Sequence, residues 1–312
     1  MRGIRMVGRD TGNLTDEELL FIYQEIVGAA WPKLKAREVF EMEPIDSIAR
    51  RAIRLYTETD MGSAMISIEG EAINLDRTQL TKGTDIKVPV IHKEFTINWR
   101  DLGAKRDFTE SLDLREARNA ARQVAEVENR LCFSGETTAA GAAVPPLGPW
   151  YTYGINGLLD SVPGANVVGC GAWPANVVAN MNTAIALLEG AGFEKPFVAI
   201  LPVGKARKLD VIIGAGGAGM THRKFLLEND IVQGIISDNG LVPTDGGVLA
   251  APSRDSGLIV CPGKDNFSLM VARDITVHTA PLPNMNLFGR IYEVAVPVIK
   301  RPAALAELNN IT

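Results

Sequence analysis

A chain of 312 residues with 46% hydrophobic content has ample material for one large domain or two ordinary ones, which excludes disorder as its working state. Its net charge of -5 gives no global attraction for nucleic acid or an anionic membrane, so any DNA contact would have to be local or steric. Cys132, Cys170 and Cys261 are scattered without a C-x-x-C pair, as suits buried reduced thiols, and the polar start "MRGIRMVGRDTGN" and the lack of any apolar run of about 20 residues point to a soluble, unexported chain.

The first predicted element is a helix in "LTDEELLFIYQEIVGAAWPKL", where Thr15 caps the start and Glu18 completes a capping box. Leu19, Leu20, Tyr23, Ile26 and Val27 then share one face, and Pro32 ends the pattern. From Ile53 to Trp99 the period becomes two, through Ile66 and Ile68, then Ile86, Val88 and Val90, then Phe95, Ile97 and Trp99. With a polar turn between Asp76 and Asp85, this predicts a long two-armed β-hairpin. Such a ribbon is marginal alone and must lie on something.

Residues 111–135, "SLDLREARNAARQVAEVENRLCFSG", read as the strongest helix, a long spine. Leu112, Ala117, Ala121, Val124, Val127 or Glu128, and Leu131 trace its stripe, and Gly135 terminates it. An Ala/Gly/Pro-rich ordered loop follows, then a helix over "ANVVANMNTAIALLEGAG" and a short buried strand, "PFVAILP". Beyond Asp238 the pattern is mostly β, in "GVLAAP", "GLIVCP", "FSLMVARDITVHT" and "LFGRIYEVAVPVIKRP". The fold class is α+β, without regular βαβ alternation.

The chemistry-bearing motifs are few. Gly214, Gly216 and Gly219 in "LDVIIGAGGAGM" match G-x-G-x-x-G, and Asp238 lies near the distance of a ribose-binding carboxylate. A dinucleotide cradle needs a strand before the glycines and a packed apolar helix after them, whereas the polar "THRKFLLEND" follows here, so the glycines read as a loop. His92, His222 and His278 lack metal or base spacing, and Glu126 and Glu128 point to different faces of the spine helix. No nucleophile elbow or Walker loop is found. The expectation is a non-enzymatic chain with no catalytic, cofactor or metal site. An apolar ribbon with nothing over it is an aggregation hazard that a partner subunit would relieve, which points to assembly.

The order of elements resembles the major capsid proteins of tailed phages and the encapsulin shell proteins. The likeness rests on "VPVIHKEFTINWRDLGAKRDFTESLDLREARNAARQVAEVENRLCFSGE" and "GINGLLD", and downstream on "LLEGAGFEKPFVAILP", "GGVLAAPSRDSGLIVCPGKDNFSLMVARDITVHT" and "YEVAVPVIKRPAAL". It covers the chain from about residue 35 onward. Where encapsulins usually carry Glu-Asp near the end of the spine helix, this chain has Glu128 and Asn129, and an Ala/Pro-rich insertion from Thr137 to Tyr153 precedes "GINGLLD".

The resemblance implies an N-terminal arm and helix over residues 1–49, an extended loop over 50–110, a peripheral domain from 111–205 plus 285–312, and an axial domain over 206–284. It implies a self-assembling icosahedral shell, foremost a viral or proviral major capsid protein enclosing DNA by non-specific contact, assembled in the host cytoplasm and residing in the virion. The alternative is an encapsulin compartment around a cargo protein; a dinucleotide-binding enzyme is the distant third. The principal partner is the chain itself, with no membrane. Phe95, Ile97 and Trp99 are candidate inter-subunit anchors, the competing reading being that they fill the chain's own core. Gly214, Gly216, Gly217 and Gly219 would shape an axial loop or pore, and Tyr23, Ile26 and Trp31 would face the lumen of a compartment.

Overall fold

Thr15 opens the first helix of the computed structural model, which describes residues 14–55, 83–108, 112–135, 154–213, 219–238, 241 and 256–311. The Thr15 hydroxyl accepts the Glu18 N–H at 3.2 Å, and the Glu18 carboxylate accepts the Thr15 N–H at 2.9 Å, so the capping box forms as the sequence predicts. Helix α1 (Asp16–Ala30) buries Ile22, Ile26 and Ala30, of which only Ile26 belongs to the stripe expected from the periodicity. Leu20 and Phe21 are exposed, and Leu19, Tyr23 and Val27 are half-buried. Apolar residues crowd this helix on several faces, so its phase is set by what it packs against.

Strand β1 (Glu41–Pro44) comes next, then the two arms of a ribbon, β2 (Ala52–Leu55) and β3 (Thr84–Lys87). They pair antiparallel with Ile53 opposite Ile86 and an Arg54–Asp85 ion pair at 2.8 Å. This is the base of the expected hairpin; its distal part, with Ile66 and Ile68, lies outside the described residues. Ile53, Leu55, Ile86 and Val88 rest on the chain's own core, so the ribbon's base is covered from within.

Strand β4 (Val90–Ile97) buries Ile91, Phe95 and Ile97. The chain then turns helical, contrary to the strand reading through Trp99: Asn98 Oδ1 accepts the Arg100 N–H at 3.0 Å, and α2 (Trp99–Phe108) begins. The spine helix α3 (Arg115–Ser134) lies against α1 and β4, and its Ala117, Ala120, Ala121 and Ala125 let them approach closely. Gly135, at φ +79°, ends it as expected.

The strands form two larger sheets. Strands β9 (Phe267–Pro281) and β10 (Leu287–Ile299) make a long antiparallel hairpin, with β1 parallel on one side and β4 antiparallel on the other, in the order β1-β9-β10-β4. The second sheet runs β5 (Val167–Gly169), β11 (Leu305–Asn309), β8 (Gly257–Val260), β6 (Val198–Leu201) and β7 (Gly234–Ser237). Helix α4 (Val177–Gly190) packs on it through Met181, Ala184 and Leu188. Strands β6 and β7 are parallel, joined through α5 (Val203–Ala206) and α6 (His222–Glu228), a single βαβ crossover that the sequence reading did not anticipate. A core containing Phe133, Ile200, Leu258, Phe267, Leu269 and Leu305 joins the two sheets.

The sheets cut across the ranges expected for the domains. Strand β9 falls within 206–284 yet pairs along its length with β10, and β11 falls within 285–312 yet shares a sheet with β7 and β8. The three cysteines are free and buried.

Candidate assembly surfaces

The three candidate anchors separate. Phe95 is 4% exposed and Ile97 2%, both in the core shared with α3, β9 and β10. The Phe95 ring lies over Gly289 of β10, where a Cβ would overlap it. Their burial answers the choice left open by the sequence: these two side chains fill the chain's own core. Trp99, at the start of α2, is 43% exposed. Its backbone N–H donates to Asn286 Oδ1 at 3.3 Å, and the Arg100 guanidinium lies 5.5 Å from its ring. Met285, at the tip of the β9–β10 hairpin, is exposed as well.

Of the glycines proposed for an axial loop, Gly214, Gly216 and Gly217 lie outside the described residues. Gly219 sits at φ +76°, a backbone conformation that favours glycine. Ile212 bridges Thr221, and the Ile213 N–H donates to the Met220 carbonyl at 2.9 Å, so the described flanks of the glycines lie side by side. The flanking elements differ from those of a dinucleotide cradle. The glycines do not directly follow strand β6, since α5 and a 3-10 turn (Arg207–Asp210) intervene, and Thr221 Oγ1 already caps the seven-residue α6. Asp238 accepts a hydrogen bond from the Asn129 side chain at 3.2 Å.

The candidate lumenal residues also part company. Ile26 is fully buried against the spine helix and Tyr23 is half-buried, but Trp31 is 65% exposed. Beside it, between the end of α1 and α3, an open groove of about 590 Å³ is lined by Gly28, Ala29, Lys33, Asn119, Arg122 and Glu126. The N-terminal side of α1 is tied to α2 by Arg106, which holds Glu18 at 2.8 Å and lowers that carboxyl to about 2.

Sequence reasoning missed what fastens the segment after α1 to the spine. Arg37, in a 3-10 turn (Ala36–Glu38), grips Glu128 of α3 through Nε at 3.0 Å and Nη2 at 2.8 Å, Glu293 of β10 at 2.6 Å, and Asp274 of β9 at 2.9 Å. Burial opposes the Arg37 charge, but the bond to Glu128 and the three carboxylates outweigh it and hold the guanidinium charged. Next to Glu128, Asn129 accepts the Ala36 N–H at 2.9 Å and donates to the Lys33 carbonyl at 2.5 Å. A signal existed in the sequence: Glu128 falls on the apolar stripe, and a carboxylate there needs a buried partner.

Comparison with known proteins places this architecture. The model of the family described as "Encapsulating protein for peroxidase" (Linocin M18) matches residues 6–294. The chain is 26% identical over 231 residues to a type 1 encapsulin shell protein of Myxococcus xanthus, covering 72% of this chain and 68% of that protein. A virus-like particle from Pyrococcus furiosus superposes with a TM-score of 0.62 at 15% identity, over 92% of this chain and 98% of the other. The capsid of Myoviridae phage XM1 does so with a TM-score of 0.59 at 15% identity, over 87% and 90%. Among the described residues, no helix is long and apolar enough to cross a membrane. The chain belongs to the Linocin M18 family of encapsulating proteins and is a shell-forming structural protein with the tailed-phage capsid fold.

Proposed function

We propose that the chain is the shell subunit of a protein compartment that closes around a cargo enzyme. The observation that carries this reading is the family match over residues 6–294, supported by likeness to a type 1 encapsulin shell protein. Closure is geometric: many copies repeat a few contacts of modest strength, and multivalency holds the container together. Trp99 and the ribbon carrying β2 and β3 are the surfaces assigned to neighbouring copies, the Gly219 segment is assigned to a symmetry axis, and the groove beside Trp31 to cargo on the lumenal side. The viral capsid, foremost in the sequence reading, becomes the second here, favoured by the likeness to phage XM1 capsid. On that reading the shell is the virion and DNA is enclosed without being read.

Negative-stain electron microscopy of the chain expressed alone, followed by analysis of particles from the native host, tests both levels. Closed uniform particles holding one co-purifying enzyme support the compartment. Closed particles holding nuclease-protected DNA support the virus. An assembly-free monomer under conditions that preserve the fold would count against the shell itself.

A further inference from the structure

Where α3, β9 and β10 meet the Ala36–Glu38 turn, one guanidinium serves three carboxylates. Asp274 is solvated, but the Glu128 and Glu293 side chains are buried, Glu293 completely. Glu293 Oε1 is held by Arg37; its Oε2 is enclosed by protein and has no hydrogen-bond donor among the described residues. A buried carboxylate oxygen without a donor is costly. The Glu128 carboxyl is its neighbour, since Glu128 Oε2 and Glu293 Oε1 both accept from the Arg37 Nη2, at 2.8 Å and 2.6 Å. Two carboxyls in that relation are satisfied when one keeps a proton and donates it to the other.

We propose that Glu293 and Glu128 share one proton in the folded chain, and that this proton is a pH-sensitive latch fastening the segment after α1 to the spine helix. The charged and titratable groups around it are Arg37 from the turn, Glu128 and Cys132 from α3, Asp274 and Arg273 from β9, and Tyr23 from α1, which feels Asp274. From β4 the position paired with Glu293 is apolar Ile91, whereas His92, Lys93 and Glu94 are exposed. Burial pushes the Cys132 thiol well up, so it adds no charge near neutrality. Burial, reinforced by the charge of Glu128 and the hydrogen bond to it, likewise moves Glu293 well above the usual carboxylate range.

The direction of the latch follows. A carboxyl whose folded pKa is raised contributes stability that is fully present below its unfolded value near 4.5 and is lost as pH rises through the folded value. Within that interval, one proton lowers the folding equilibrium constant by up to about tenfold per pH unit. The latch holds in acid and loosens in alkali.

Thermal unfolding of the assembled full chain, followed from about pH 5 to about pH 9, tests this with Glu293→Gln and Glu128→Gln. In either variant an amide N–H stands in for the shared proton. The expected result is that the melting temperature of the unaltered chain falls with pH and that both variants flatten this fall. Infrared difference spectra between the unaltered chain and each variant at about pH 6 should show a carboxylic-acid band that each variant removes. Asp160, which burial pushes up to about 7, is present in all three proteins and cancels in the difference. A slope unchanged in both variants, or the absence of any carboxylic-acid band sensitive to them, overturns the proposal. Failure of both variants to fold also overturns it, because a neutral side chain of that shape is what the latch is said to contain.

Discussion

Gly289 and Phe95 face each other across β10 and β4, and no atom fits between them. Gly289→Ala should destabilise the chain by about 1–3 kcal/mol in chemical denaturation, the ordinary cost of overpacking. Combined with Phe95→Leu, the loss should be smaller than the sum of the two single losses, since both act on one contact. Asn129 is a second sensitive position. Asn129→Ala should cost about 1–3 kcal/mol for the buried Ala36 N–H left unpaired, and less for the part-buried Lys33 carbonyl. Asn129→Asp should be worse near neutral pH, because an acceptor would replace the donor that faces the Lys33 carbonyl and the Asp238 carboxylate. The gap between the two variants should narrow in acid, as the new carboxyl protonates; equal stability at all pH values would refute the assigned hydrogen bonds. At this scale the sequence marked the Glu128–Asn129 pair as a departure from the encapsulin pattern. It did not reveal the partners, because Lys33, Ala36, Arg37 and Glu293 are distant in the chain and meet only on folding.

Elements with local punctuation were legible. The Thr15–Glu18 capping box, the spine helix and its Gly135 stop rest on residues three to twenty apart, so short-range chemistry specifies them. The phase of α1 and the start of α2 were not legible: the first depends on contact with α3, and the second hid behind a period-two pattern that Asn98 interrupts. The join of α1 to α2 has its own pH signature. Glu18 is lowered to about 2, chiefly by its hydrogen bond with Arg106. Its contribution is therefore present above about 4.5 and lost as pH falls toward about 2. Acid unfolding of the unaltered chain should include this loss, and Glu18→Gln should be less stable near neutrality while showing a shallower decline over that window. A parallel decline in both would remove the ion pair from the account. This acid-range effect runs opposite to the Glu293 latch, which weakens as pH rises, so the two can be separated by pH alone.

For the molecule as a whole, exposure separates what builds the subunit from what is left for its neighbours. Trp99→Ala should leave far-ultraviolet circular dichroism unchanged and shift closed particles toward small oligomers in size-exclusion chromatography and electron microscopy; normal particle yield would deny Trp99 an interface role. Phe95→Ala should instead lower the stability of the subunit by about 3–5 kcal/mol before assembly is considered, because the ring is a core side chain. Addition of NAD should leave the melting temperature unchanged, whereas ligand at a hundredfold excess over its dissociation constant would add about 2.7 kcal/mol. The sequence by itself determined the α+β class, the caps, the base of the ribbon, the spine and the likeness to shell proteins, because each is written in local periodicity or in the order of segments. Only the tertiary structure decided which apolar residues are core and which are surface, and which strands pair in each of the two larger sheets. It alone decided that Arg37 gathers three carboxylates from three elements. The physical reason is common to all three: burial and charge pairing are set by residues far apart in sequence, and a one-dimensional pattern holds no record of which of them meet.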